Sequence, residues 1–77
     1  KISEINNDLN NLTTPGIYNF IDTTGSVSNN PGVNYGMMIV LKAYASYTMQ
    51  IAFDSSNRLW VRFLNPSQSM YKSWTEL

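Results

Sequence analysis

The chain contains neither cysteine nor histidine. Without cysteine, no disulfide and no thiolate metal site can stabilise the fold. Without histidine, it lacks the side chain that most often transfers protons near neutral pH and most often binds transition metals. Only five residues are Asp or Glu, which is too sparse for a calcium loop. We therefore expect no metal site, no cofactor and no enzymatic activity.

Charged residues are also scarce, at 13 % of the chain, and five basic residues balance five acidic ones. Nucleic-acid binding depends on surplus positive charge that displaces counterions, and polybasic membrane-surface segments need the same surplus. No apolar run reaches transmembrane length. We expect no nucleic-acid partner and no membrane insertion. The polar surface must come from Asn, Ser and Thr, which suits extracellular β modules and carbohydrate contact.

The length of 77 residues corresponds to one domain near the lower limit for a self-sufficient core. Chains of this size usually need a covalent link, a metal or a partner to gain enough buried area. With disulfides excluded, oligomerisation is the natural way to gain that area.

The first twelve residues place apolar side chains at a spacing of three, four and three: Ile2, Ile5, Leu9 and Leu12. This heptad-like pattern predicts either a short amphipathic helix that caps a β core or the end of a coiled-coil stem. Residues 1–12 would then form one unit and residues 13–77 a β domain. In a stem, isoleucine at the core positions favours trimers.

The rest of the chain has the alternation and the turn residues of β-strands. The predicted strands are residues 17–22, 36–42, 47–54, 58–64 and a short closing strand at 73–77. They predict a mainly β fold, a small antiparallel meander with a short N-terminal helix or coiled-coil end. Odd-numbered residues from Tyr47 to Phe53 and from Leu59 to Phe63 are expected to face the core.

A long segment without apolar periodicity, residues 23–35, separates the first two predicted strands. A loop this long in a small domain is often functional; the alternative is a mobile surface excursion. Tyr35, Asn29 and Asn30 lie in or beside it and are expected to be exposed. These three residues are therefore candidates for ligand contact.

Two carboxylates stand at predicted strand ends, Asp22 and Asp54. Two facing carboxylates across a cleft could serve a glycosidase. Aspartate at a strand–loop junction is also the usual residue that starts a turn. We favour the turn interpretation, because a chain this short leaves little room for a substrate cleft.

Trp60 and Arg62 alternate with the apolar residues of the fourth strand, and Gln50 is expected to lie across from them. An aromatic ring beside amide and guanidinium donors is the combination that a saccharide site uses. We favour the alternative, in which Trp60 is buried, as large aromatic side chains mostly are, with Arg62 hydrogen bonded internally. Trp74 is expected to close the open end of the core.

Three pieces of sequence, in this order and spacing, resemble the pyocin-knob type of domain: residues 12–18 (LTTPGIY), IAF at 51–53 followed by WVR at 60–62, and Trp74. Such domains occur in tail fibres, baseplates and receptor-binding proteins of bacteriophages and phage-derived bacteriocins. The resemblance covers nearly the whole chain.

The resemblance implies a non-catalytic knob on a homotrimeric virion fibre, assembled in the bacterial cytoplasm. Its expected role is attachment to a host cell-surface polysaccharide or teichoic acid. A purely structural fibre knob without a ligand is the first alternative. The second is a monomeric carbohydrate-binding module attached to a cell-wall hydrolase, which would need Trp60 exposed.

Overall fold

The computed structural model describes residues 5–43, 47–65, 70–71 and 73–77. A 3₁₀ helix at Leu9–Asn11 precedes the strands. The strands are β1 (Gly16–Ile21), β2 (Tyr35–Lys42), β3 (Thr48–Asp54), β4 (Arg58–Asn65), β5 (Met70–Tyr71) and β6 (Thr75–Glu76).

The strands form one antiparallel sheet. Each strand from β1 to β5 pairs with the next, and β6 pairs with β4 beside β5. This arrangement confirms the predicted mainly β meander, and the first four strands begin and end within one residue of the predicted bounds. The pairing of β5 lies in a segment that the sequence predicted as loop.

The predicted N-terminal helix is wrong. Within residues 5–12 the regular structure is three residues of 3₁₀ helix, whose first turn Asp8 caps by accepting the Asn10 N–H at 2.9 Å. Asn6 and Asn7 adopt left-handed backbone, with φ of 48° and 59°. Such residues cannot continue a right-handed helix. Ile2, the first residue of the predicted heptad, lies outside the described residues.

The other three apolar residues of that heptad lie in the core. Ile5, Leu9 and Leu12 are 4, 0 and 0 % exposed and pack with the buried side chains of the sheet. The segment therefore covers the sheet as predicted for a cap, although it is not an α-helix. Side chains buried in this way are not free to form the seam of a stem.

The predicted inward faces of β3 and β4 are reversed. Thr48, Gln50 and Ala52 are buried, and so are Trp60 and Arg62. The odd-numbered neighbours that were expected inside, from Tyr47 to Phe53 and from Leu59 to Phe63, are partly or largely exposed. The reason is that the N-terminal segment covers the even-numbered face, and side chains alternate strictly between faces.

The loop between β1 and β2 forms the rest of this cover. Ser28 pairs with the N-terminal segment: its carbonyl accepts the Leu9 N–H at 3.0 Å, and its N–H donates to Asn7 at 2.8 Å. Val33 is completely buried in the core. The loop is therefore part of the second layer of the domain. None of the described helical residues forms a helix that could span a membrane.

Candidate functional site

The structure brings the predicted saccharide-stacking residues together but buries them. Gln50 pairs with Arg62 across β3 and β4, and Trp60 lies two residues before Arg62, on the same face of β4. Trp60, Arg62 and Gln50 are 3, 5 and 0 % exposed. A sugar ring cannot reach the face of Trp60 in this structure, so the prediction of an exposed platform is wrong and the alternative of a buried Trp60 holds.

Gln50 joins the two layers of the domain through hydrogen bonds. Its side-chain Nε2 donates to the carbonyls of Leu9 and Leu12 at 2.7 and 2.8 Å. Its Oε1 accepts from Arg62 Nε at 2.8 Å. Both polar atoms of this buried amide are used, which is what a buried polar side chain requires. The arrangement is structural.

Trp74 fixes the far end of the same cluster. Its indole Nε1 donates to the carbonyl of Asn29 at 2.7 Å, and the Arg62 guanidinium carbon lies 4.4 Å from the centre of a Trp74 ring. A cation over an aromatic face at this distance is attractive. Trp74 is half-buried against the core, which agrees with its predicted place at the open end.

The two asparagines of the long loop are held by the protein itself. The Asn30 amide donates to Asp22 at 3.0 Å and to the Val33 carbonyl at 2.8 Å, and its oxygen accepts the N–H groups of Gly32 and Val33. The Asn29 amide donates to Asp8 at 2.8 Å. These bonds shape the loop, and those of Asn30 engage both polar atoms of its side chain.

The two aspartates at strand ends hold their turns, as predicted. Burial raises the pKa of Asp22, but hydrogen bonds from Asn30, Val27 and Ser26 outweigh it and leave the pKa below its usual value. The Ser56 hydroxyl, with backbone N–H groups beside it, lowers the pKa of Asp54 to about 2. Carboxylates held ionised by local donors in this way are turn-forming groups.

Tyr35, the remaining ligand candidate, lies at an open cleft. This end cleft has a volume of about 420 Å³ and lies where the long loop meets the β3–β4 turn; it is lined by Thr23, Gly32, Asn34, Tyr35, Asp54, Ser55, Ser56 and Arg58. The Tyr35 side chain is 55 % exposed. Arg58 also faces solvent, where it pairs with Glu76 at 3.2 Å.

The end cleft therefore combines an exposed ring with neutral hydroxyl and amide groups and one guanidinium. The local charge is slightly negative, because one guanidinium faces the carboxylates of Asp54 and Glu76. Such a surface suits a neutral hydroxyl-rich ligand better than an anionic one.

The largest exposed feature is the other side of the sheet. We call it the open face: the odd-numbered residues from Ile17 to Ile21, from Met37 to Leu41, from Tyr47 to Phe53 and from Leu59 to Phe63. All of them are apolar or aromatic except Asn19, and none is charged. No other described segment of the chain packs across this face.

Sequence reasoning placed the β3 and β4 residues of the open face, from Tyr47 to Phe53 and from Leu59 to Phe63, in the core. The strand that indicates an apolar surface on both sides of the sheet is β2, where Met38 and Val40 occupy one side while Met37, Ile39 and Leu41 occupy the other. A strand that is apolar on both sides needs other residues packed against both of its faces. A single short N-terminal segment can cover only one of them.

No protein-family model matches the sequence, and neither the curated proteins nor the solved structures contain a significant match to it. The part of the chain that the structure describes holds no group of three acidic residues that could bind a metal ion.

Proposed function

We propose that this chain is a non-catalytic module of a bacteriophage tail fibre or baseplate protein, part of the virion, that contributes to attachment to a host cell-surface glycopolymer. Each fibre would carry three copies. The support is the order of the knob-like sequence pieces along nearly the whole chain, together with a meander fold that holds residues 16–18, 51–53 and 60–62 in one sheet.

The observation that carries the attachment role is the end cleft beside Tyr35. A half-exposed ring can stack on the apolar face of a sugar, while nearby amide, hydroxyl and guanidinium groups bond its hydroxyls. The slightly negative surroundings favour a neutral polysaccharide over a phosphate-rich teichoic acid. Single-site binding would be weak, and three copies on a fibre would raise the avidity.

The absence of catalysis is part of the proposal. Asp22 accepts hydrogen bonds from its own turn, and Asp54 accepts them from its own turn and from the Asn34 N–H of the long loop. A general acid needs a raised pKa to keep its proton near neutral pH, and here the pKa of each is lowered. Both groups are better suited to holding turns than to transferring protons.

Binding can be tested by titrating the ¹⁵N-labelled chain with short, monovalent oligosaccharides from bacterial cell-wall polysaccharides and with teichoic acid fragments. We expect shifts to concentrate at Asn34, Tyr35 and Ser55 for a neutral sugar. Tyr35→Ala should weaken that binding by about tenfold or more. Tyr47→Ala is the matched control, because this tyrosine is similarly exposed and lies just before β3, at the end of the sheet away from the end cleft.

A purely structural fibre knob is the second candidate. It is favoured by the burial of Trp60, Arg62 and Gln50, which places the most sugar-like combination of side chains inside the core. The same burial removes the main support for a carbohydrate-binding module of a cell-wall hydrolase. If none of the oligosaccharides shifts any resonance around the end cleft, the structural role replaces the attachment role.

A further inference from the structure

The open face has the composition of a protein interior although it lies at the surface. Its exposed side chains include Ile17, Ile21 and Leu41, at 71, 64 and 51 %. Soluble monomers rarely expose contiguous apolar patches of more than a few hundred Å², and larger ones mark interaction sites. Isolated exposed apolar residues are ordinary, but these side chains occupy one continuous sheet surface.

The size of the open face matches one half of a stable interface. Phe63 and Tyr47 are 49 and 41 % exposed, and at roughly 150–250 Å² per aromatic side chain they expose on the order of 200 Å² together. Ile17, Ile21 and Leu41 are exposed to an even larger fraction. With the half-buried methionines and β-branched residues between them, the total approaches the roughly 800 Å² that each partner contributes to a standard interface.

The charge distribution favours a partner with the same kind of surface. Every described charged residue lies off the open face: Asp8, Asp22, Lys42, Asp54, Arg58, Arg62 and Glu76. A face without charge offers no pattern for recognising a charged partner. It is complementary to another flat apolar sheet, packed face to face at about 10 Å as in a β-sandwich.

The open face also carries both projecting side chains and a shallow cavity, against which a second copy can pack. A shallow, mostly apolar cavity of about 400 Å³ lies at one end of it, lined by Leu41, Tyr47, Met49 and Phe63 and, at the end of β2, by Lys42 and Ala43. Projecting side chains such as Ile17 and Ile21 stand on the opposite edge strand, β1. The same chain therefore supplies both protruding apolar side chains and an apolar depression.

We propose that copies of this chain associate through the open face. The N-terminal segment is already used, because Ile5, Leu9 and Leu12 fill the core on the opposite side of the sheet. The interface does not depend on the proposed attachment function, since it requires no ligand.

Sedimentation velocity over a wide range of concentrations tests this interface. We expect the wild-type chain to have two or three times its monomer mass of 8.7 kDa. Phe63→Lys places a charge on the open face beside the cavity and should give a monomer. Ile17→Lys does the same on β1, where the side chain is 71 % exposed, so at least one of the two variants should keep its fold.

Ser55→Lys is the matched control, because it adds the same charge in an exposed turn off the open face. It should remain assembled. Far-ultraviolet circular dichroism and Trp60 fluorescence verify that each variant is folded. A wild-type chain that stays monomeric at all concentrations would overturn the proposal, as would folded lysine variants that assemble like the wild type. Binding of monovalent sugars is measured separately, so either proposal can fail alone.

Discussion

Replacing Gln50 should lower the free energy of unfolding more than replacing other side chains of its size. It is fully buried and joins the N-terminal segment to the sheet through the carbonyls of Leu9 and Leu12 and through Arg62. Gln50→Leu keeps nearly the same volume, so it leaves little cavity. What it removes is three hydrogen bonds, and the partners remain buried.

The expected loss can be worked out from those partners. Arg62 Nε loses the acceptor of a buried charged group, which costs roughly 1.5–3 kcal/mol, and each carbonyl adds about 1 kcal/mol. Leu9 keeps one bond, since its carbonyl also accepts the Leu12 N–H at 3.2 Å. The sum is about 4 kcal/mol. A domain of this length has about 4–12 kcal/mol of stability in total, so the variant should be close to unfolding.

Urea unfolding at one fixed protein concentration, followed by tryptophan fluorescence and circular dichroism, measures this loss. Met38→Leu is the control, because Met38 is equally buried and a volume-conserving apolar exchange costs less than about 1.5 kcal/mol. The double variant with Arg62→Met should lose less than the sum of the single variants, since it removes donor and acceptor together. A loss below about 1 kcal/mol for Gln50→Leu would refute the reasoning.

Two further perturbations follow from the turns and strand contacts. Gly36→Ala should lower the free energy of unfolding by about 3 kcal/mol or more, because the added Cβ would lie 1.8 Å from the Phe53 carbonyl oxygen. Gly25 has a φ of +69°, and a Cβ added there would have no other atom within 4 Å. Gly25→Ala should therefore cost only about 1–2 kcal/mol, from backbone strain alone. The lowered pKa of Asp22 means that its stabilising contribution is complete above the unfolded value of about 3.9 and is lost as pH falls through the folded pKa. Urea midpoints measured from neutral pH down to acid pH should therefore decline less steeply for Asp22→Asn than for the wild type, and equal slopes would contradict this account.

The sequence predicted the strands well because their signal is local. Alternation in residues 47–54 and 58–64, bounded by turn residues such as Asn57, identifies strands without knowledge of their partners. Asn57 indeed takes a left-handed backbone, with φ of 72°. The turn-forming roles of Asp22 and Asp54 followed in the same way, because their bonds from Ser26 and Ser56 are close in sequence; the bond from Asn34 to Asp54, 20 residues away, was not predicted.

The choice of face could not be predicted in the same way, because it depends on which side the rest of the chain covers. The rule that apolar residues lie inside assigned Ile51 and Phe63 to the core and Gln50 to the surface. The structure reverses this, since residues 5–12 and the long loop pack over Gln50 and Trp60. The carbonyls that bind Gln50 are 41 and 38 residues away in sequence, and no local sequence pattern indicates partners at such a distance.

The central claim is that the apolar side of the sheet, rather than the N-terminal segment, joins copies of this chain. The most direct test is an isotope-filtered nuclear Overhauser experiment on a mixture of ¹³C-labelled and unlabelled copies, which detects contacts between molecules alone. The account predicts intermolecular contacts from the methyl groups of Ile39, Met49 and Ile51. Intermolecular contacts from Leu9 and Leu12 instead, or none at concentrations far above those of the sedimentation series, would contradict it.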